Sequence, residues 1–350
     1  MITLTPEQLT HAPVSASTAP VSDPRYFPAE FDAYMTKLYA GEDSIMQSYR
    51  SYMRTDIERG RGIVHTLAPW TSIKGKSVLD IGCGYGGLLL TMRDAGAASL
   101  AGVEVDDCRL HWAKVRLGAL GVKADLRLSD ICSEEDVHKL SSYDVILAQD
   151  VIEHVMDPSV AIRHISQLLR PNGLVFIQVG NKFSPNQLLH DHHCQLPGLT
   201  MLSREQAVEY FQARFAKPKE AYAVGYWREE KYYRHVFRRN GVSLHRTEHF
   251  PHPDILNLYA KDITDVCKLL ETNLWPDLRP ELGKRMRRRM LKIVQLYVHA
   301  SKQLPGLESQ PNLLEQACDQ IVARLLLPAW RMVGIKDGHF PATSSKELPH

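Results

Sequence analysis

No stretch of the chain approaches the roughly 18 to 20 consecutive apolar residues that cross a bilayer, so no membrane-spanning helix is expected. The first residues, MITLTPEQLTHAPVSASTAPVSDP, have no basic start followed by an apolar core, and a secretory leader is not expected there either. Charge of one sign is scarce: 42 Lys and Arg face 40 Asp and Glu, a net of +2. So weak a field disfavours a dedicated nucleic-acid binder. The six cysteines never form a Cys-x-x-Cys pair, which leaves the common zinc spacings without ligands. With no leader expected they read as reduced thiols, and the expected compartment is the cytoplasm. No internal repeat is visible.

What is present is an ordinary globular composition, 44% hydrophobic and 23% charged, in a chain long enough for one large domain with insertions or for two. Residues 1–24, rich in Ser, Thr, Ala and Pro, read as a disordered tail. Residues 28–68 carry apolar residues at helical spacing and lie among many tyrosines: Tyr26, Tyr34, Tyr39, Tyr49 and Tyr52. They predict an N-terminal helical lid over 25–70. A regular alternation follows. SVLDIG, SLAGVEV, ADLRLSD, YDVILAQD and LVFIQVG read as strands, with a helical pattern after each of the first four, the last of these running over 157–173. Five such runs predict a parallel sheet covered by helices on both faces. Past residue 180 the alternation stops. Residues 181–202 read as a long connection, followed by helices at SREQAVEYFQARF and WREEKYYRHVFRRNG and a strand at VSLHRTEHF. A helical block over 254–326 and a last strand at PAWRMVGIK complete the chain.

The loop after the first strand bears most directly on chemistry. In an open α/β sheet, ligands bind beyond the carboxyl ends of the strands. VLDIGCGYGG puts Gly82, Gly84 and Gly87 there, the spacing of a dinucleotide fingerprint, which alone is an unspecific signal. Asp80 argues against a pyrophosphate, because two like charges 4 Å apart cost about 4 kcal/mol at an effective dielectric near 20. S-adenosylmethionine (SAM) has no phosphate. It brings an ammonium and a sulfonium, which suit a carboxylate. Glu104 ends the second strand, where a carboxylate meets ribose hydroxyls. Asp130 ends the third, where a carboxylate meets an adenine amino group.

Taken in order, VLDIGCGYGG, GVEVDD, LSDI, YDVILAQDVIEHV and LLRPNGLVFIQV resemble the successive motifs of class I SAM-dependent methyltransferases, most of all those of quinone and natural-product biosynthesis. The resemblance covers about residues 75–180. It implies an α/β, Rossmann-like, seven-stranded, mostly parallel sheet with one antiparallel edge strand. VSLHRTEHF and PAWRMVGIK would be the sixth and seventh strands. The implied domain plan is a SAM-binding core over 71–253 with a loop insertion at 181–225, a helical cap inserted at 254–326, and the last strand and tail over 327–350. It also implies SAM as the cofactor. Asp80, Gly82, Cys83 and Gly84 would lie at its methionine end, Glu104 and Val105 at the ribose, and Asp130 and Ile131 at the adenine. Gln149 and Asp150 would face the sulfonium.

Elsewhere two readings stand side by side. His154, in DVIEHV with Asp150 and Glu153, is a candidate general base or a structural part of a family motif. Asn181 lines the acceptor pocket or makes a turn. HDHHCQLPGL gathers His190, Asp191, His192, His193 and Cys194 but matches no standard zinc spacing. No metal is expected, and the resemblance implies a loop over the acceptor pocket. Tyr49 and its neighbours close over the sulfonium or pack as ordinary core. KRMRRRM alternates charge with the stripe Met286, Met290, Ile293, Val294 and Tyr297, which reads as a solvated helix face rather than an RNA contact. The function expected is methyl transfer to a small-molecule acceptor in an enclosed pocket, on oxygen or nitrogen rather than carbon. The alternative is an enzyme of this fold that consumes SAM itself, cyclising its aminobutyrate arm and releasing methylthioadenosine. A homodimer is left open, and no membrane or nucleic-acid partner is expected.

Overall fold

The computed structural model describes residues 2–3, 26–38, 51–219, 222–272, 275 and 278–337. Most of the expected tail, together with Tyr39 and Tyr49, lies outside the described residues. Seven strands form the main sheet: β1 (Ser77–Ile81), β2 (Ser99–Glu104), β3 (Asp125–Leu128), β4 (Tyr143–Gln149), β5 (Leu169–Gly180), β6 (Val242–Arg246) and β7 (Ala329–Lys336). Their order is β3-β2-β1-β4-β5-β7-β6. The first five are mutually parallel, and β7 runs antiparallel to both β5 and β6. This is the seven-stranded, mostly parallel Rossmann-like sheet. The antiparallel strand is not at the edge, however. β6 arrives first and leaves a gap, and the chain returns as β7 to fill it. Gly334 makes the fit: a Cβ there would stand 2.7 Å from side-chain carbons of Val175 on one side and Val242 on the other.

The helices are α1 (Ala29–Leu38), α2 (Asp56–Leu67), α3 (Gly87–Asp94), α4 (Asp107–Ala119), α5 (Glu134–Val137) and α6 (Pro158–Leu168). Then come α7 (Pro185–Leu189), α8 (Arg204–Phe215), α9 (Glu230–Arg239), α10 (Ile255–Glu271), α11 (Pro280–Gln303) and α12 (Pro311–Ile321). Local chemistry starts several of them. The Asp106 side chain accepts from Arg109 N at the head of α4. Asp157 caps α6, with Pro158 in the first turn where no N–H is missed. Ser203 and Gln206 form a reciprocal capping box on α8. The α6 helix stops at Leu168, five residues short of the predicted end. Pro171 has no N–H to extend it, and Asn172 turns with φ +60°.

Three apolar clusters hold the molecule. On one face of the sheet, α1 to α4 bury Phe31, Met35, Ile57, Leu89 and Leu117. On the other, α6 and α9 bury Ile162, Ile165 and Phe237. The third cluster lies apart from these two. It joins Leu188, Leu199, Tyr210 and Val224 of the 181–225 insertion to Val266, Met286, Met290 and Val322 of the helical block. The two segments therefore share one core. Met286 and Met290 are fully buried, each worth about 1.5–3 kcal/mol, while Lys284, Arg285, Arg287 and Arg288 face outward. Asp319 of α12 fastens this cap to the sheet: it accepts from Phe250 N at 3.0 Å and from Arg246 Nη2. Among the described residues no helix is long and apolar enough to cross a membrane.

Candidate active site

β1 ends at Asp80 and Ile81, and the chain turns through residues 82–86 into α3. Gly82, Gly84 and Gly86 all have positive φ, +67°, +51° and +79°, where a side chain is strained. Their surroundings differ. A Cβ at Gly82 would strike Val151 and one at Gly86 would strike Leu117, but at Gly84 nothing lies within 4 Å. Main chain at Gly84 thus borders open space. Gly82 N and Cys83 N both donate to Val103 O, at 2.8 and 3.0 Å, tying the turn to β2. The Cys83 side chain turns inward, its Sγ 2.9 Å from where a Cβ of Gly102 would stand. Burial, then the Asp80 and Glu104 carboxylates, push this thiol's pKa well up.

Asp80 is 2% exposed, and no described residue donates a hydrogen bond to it. Burial first, and the Glu104 carboxylate second, hold its pKa well above the usual carboxylate range. Glu104, 5% exposed, accepts from Gly84 N at 2.9 Å through Oε2. Its Oε1 accepts from Val105 N at 2.9 Å and Asp106 N at 3.0 Å. A carboxylate has about four lone-pair positions, so main-chain donors fill all but one. Val105 covers this corner from outside, 67% exposed. At the tip of β3, Asp130 Oδ1 accepts from Cys132 N at 2.8 Å. The carbonyl of the buried Ile131 accepts from His164 Nδ1 at 2.7 Å, so this loop too is fixed from behind.

Beyond β4 the character changes. Asp150 has φ +54°. Its carboxylate accepts from Tyr52 Oη at 2.6 Å and from Gln178 Nε2 at 2.9 and 3.1 Å. The Arg59 guanidinium stacks 3.6 Å from the Tyr52 ring centroid, and burial followed by Asp150 raises the pKa of the tyrosine hydroxyl. Gln149 Oε1 is buried without a partner. Glu153 is buried as well: Oε1 accepts from Gly180 N at 3.3 Å, while Oε2 has no partner. Burial and then Asp150 push the Glu153 pKa up to about 8.

His154 Nδ1 lies 3.0 Å from Ala223 O, and its Nε2 lies 3.1 Å from His193 Nε2. A carbonyl only accepts, so Nδ1 of His154 carries the proton. Burial lowers the pKa of both imidazoles and keeps them neutral. His154 Nε2 is therefore a lone pair that accepts from His193 Nε2–H. That leaves His193 Nδ1 as a second lone pair, buried and without a hydrogen-bond partner. The nearest carboxylate oxygen, Asp191 Oδ1, is 3.9 Å away.

The rest of the histidine-rich loop is structural. Asp191, fully buried, gathers the N–H groups of His193, Cys194 and Leu196 at 2.8–2.9 Å. Its pKa is pushed up to about 6 by burial. His192 is held by Gln187 and Asn186, and His190 is exposed. Among the described residues no group of three His, Cys, Asp or Glu side chains is disposed to share a metal ion. Of the two readings of Asn181, its contacts follow the turn. It is fully buried, its Oδ1 accepts from Phe183 N and its Nδ2 donates to Arg324 O, so its amide is spent bracing the cap. Sequence reasoning missed His193 as the end of a histidine pair, and the unpartnered oxygen of Glu153. The one available signal was a triplet of histidines soon after the fifth strand.

The methyltransferase domain family matches this chain over residues 49–258, from before α2 to within α10. The chain belongs to that family. It carries a class I, SAM-dependent methyltransferase domain. It is 36% identical over 123 residues to the ubiquinone biosynthesis O-methyltransferase of Neisseria meningitidis serogroup C, a match covering 34% of this chain and 49% of that protein. To the protein of the same name from Nitrosospira multiformis it is 35% identical over 113 residues, 31% of this chain and 45% of the relative. The methyltransferase thus spans about half the length of the curated relatives it matches. Among solved structures, the SAH-bound magnesium protoporphyrin IX methyltransferase of Synechocystis PCC 6803 aligns at 19% identity and a TM-score of 0.42, covering 63% of this chain and 88% of that one.

Proposed function

We propose that this methyltransferase moves the methyl group of SAM to a small-molecule acceptor held beyond the carboxyl ends of β4 and β5, with the His154–His193 pair handling the acceptor's proton. The observation that carries this reading is His193 Nδ1, a buried lone pair with nothing to accept from. A buried acceptor atom left unpaired costs free energy, so it calls for a donor. An acceptor O–H or N–H supplies one. Likeness to O-methyltransferases favours oxygen.

The cofactor half fits SAM on its own geometry. Asp80 is a buried carboxylate without a described donor, suited to the ammonium. Gly84 offers main chain beside open space, and Gly82 and Cys83, tied to Val103 O, fix the turn that presents it. Glu104 has one lone-pair position free for a ribose hydroxyl, and a second hydroxyl would compete with Gly84 N–H. Val105, Asp130 and Ile131 would border the ribose and adenine, and Gln149 and Asp150 the sulfonium. SAM supplies a methyl carbon on a positively charged sulfur. The acceptor atom bonds to that carbon while the C–S bond breaks and sulfur keeps the electron pair, leaving S-adenosylhomocysteine. The acceptor proton passes to His193 Nδ1. Asp191, 3.9 Å away, offsets the charge of the imidazolium, and His154 holds the ring in the required tautomer. A cap that kept water out would leave positioning to do most of the catalysis.

The test is an incubation of the protein with SAM alone, with nucleosides followed by mass spectrometry. The expected result is intact SAM, and S-adenosylhomocysteine only once a metabolite extract is added. Methylthioadenosine well above its spontaneous background would make SAM itself the substrate and end this proposal.

A further inference from the structure

The Arg116 side chain of α4 is wholly buried and lies outside the groups assigned to SAM or the acceptor. Its two terminal nitrogens donate to the two carboxylate oxygens of Asp56. Nη1 also donates to Tyr85 O at 3.2 Å, and Nε to Tyr26 O at 2.9 Å. The Phe27 and Phe31 rings lie 4.7 and 4.8 Å from the guanidinium carbon. One side chain therefore joins the start of the N-terminal segment, α2 and the glycine loop.

Asp56 is pressed onto the first residue of α3. A Cβ at Gly87 would lie 2.1 Å from its Oδ2. One turn further along α2, a Cβ at Gly60 would lie 2.2 Å from Thr91 Oγ1, so α2 packs almost directly on the α3 main chain. The start of α3 is where helix N–H groups and the macrodipole attract an anion. The methionine arm of SAM ends in a carboxylate as well as an ammonium. Without its partner, Asp56 would put a negative charge at that same helix terminus and repel this carboxylate. Arg116 cancels it and holds a carbonyl of the loop as well.

We infer that Arg116 is a positioning residue for SAM: by neutralising Asp56 and fixing Tyr85 O, it keeps the start of α3 receptive to the carboxylate of the methionine arm. The inference rests on the reading of this loop as the methionine end of the SAM site. Two probes separate it from a general structural role. SAM carries the amino-acid arm and methylthioadenosine does not.

The experiment is titration calorimetry of both probes on the full chain and on Arg116→Met, Arg116→Lys and the double variant Arg116→Met with Asp56→Leu. Arg116→Met, which leaves Asp56 alone, should weaken SAM about tenfold and methylthioadenosine less than about twofold. Arg116→Lys keeps the charge but not the two-pronged geometry, and should weaken SAM less than Arg116→Met does. The double variant removes both charges and should recover most of the SAM affinity. If Arg116→Met does not fold, Arg116→Lys and the double variant carry the test, and a tenfold loss of SAM in both would overturn it. Equal weakening of both probes, or a double variant no better than the single, would also overturn it. A native protein that binds SAM beside an equally tight Arg116→Met variant overturns this inference alone. A native protein that binds neither probe overturns the SAM-site reading with it.

Discussion

The two halves of the site are built by different means. The proposed cofactor half spans Asp80 to Ile131, on the tips of three neighbouring strands, and would use main-chain N–H groups and carboxylates. Its polar atoms are largely paired within the protein, as the three main-chain donors on Glu104 illustrate. The half that would face the sulfonium and the acceptor draws on Tyr52, Gln149 to His154, Gln178 and His193, from segments far apart in the chain. Buried atoms without partners gather there: Gln149 Oε1, Glu153 Oε2 and His193 Nδ1. Native proteins tolerate few such atoms. The difference teaches where each ligand is recognised. The cofactor half is paired within the protein apart from Asp80 and one lone-pair position of Glu104, while the acceptor half leaves several buried atoms for incoming molecules to meet.

If the halves are separable, changes on one side should leave the other's ligand alone. The largest effect is expected at His193. Once an acceptor is found by release of S-adenosylhomocysteine, His193→Ala should lower kcat by about 10²–10³-fold. SAM affinity by calorimetry should stay within about twofold, and added imidazole should restore part of the rate. A comparable loss of SAM affinity would break the separation. Next comes Asp80→Asn, expected to weaken SAM about 100-fold through loss of a charged partner. For the native protein, SAM affinity should fall as pH drops through the raised pKa of Asp80, because the protonated acid no longer attracts a cation. SAM binding should release protons in buffers of differing ionisation heat. Glu104→Ala should cost about 1.5–3 kcal/mol of SAM binding, and unchanged calorimetric affinity would remove Glu104 from the ribose site.

The smallest effect sharpens the acceptor side. Folded Glu153 holds its proton to about pH 8, against an ordinary value of 4.5. The folded protein therefore binds more protons than the unfolded chain between those values, and its stability declines as pH rises through that window. Glu153→Gln should remove the decline. By scanning calorimetry, the variant should melt a few degrees above native at pH 9 and close to it at pH 5. Parallel Tm profiles for the two proteins would show that Glu153 ionises freely.

This asymmetry also set what could be read from the sequence. Asp80, the glycines and Glu104 were visible because a strand tip and its following turn are local, and a short apolar run points to both. The sheet was legible for the same reason, apart from the place of β7, since pairing between distant strands leaves no local trace. His154 was visible as a residue, but its partner His193 comes from a loop 39 positions away. Which nitrogen of each ring is free depends on the Ala223 carbonyl and on burial, neither of which a sequence displays. Asn181 left two readings open for a similar reason. Its position after β5 suited a pocket wall, and only the fold shows its amide spent on Phe183 and Arg324. The buried Arg116–Asp56 pair was equally hidden, because two charged residues 60 positions apart read as surface.

The route of the chain through the sheet has a consequence for exchange of parts. The polypeptide leaves the sheet after Gly180, returns for β6, leaves again and comes back as β7. The two departures meet in one apolar cluster, and Asn181 N donates to Pro328 O where the first begins and the second ends. Neither excursion is a cassette. Cutting out residues 254–326 alone would strip the cover from Leu199, Tyr210 and Val224, and replacing residues 181–225 alone would do the same to Met286 and Met290. A chimera meant to exchange these parts must therefore carry both excursions from one donor, with residues 242–250 between them as the strand they flank.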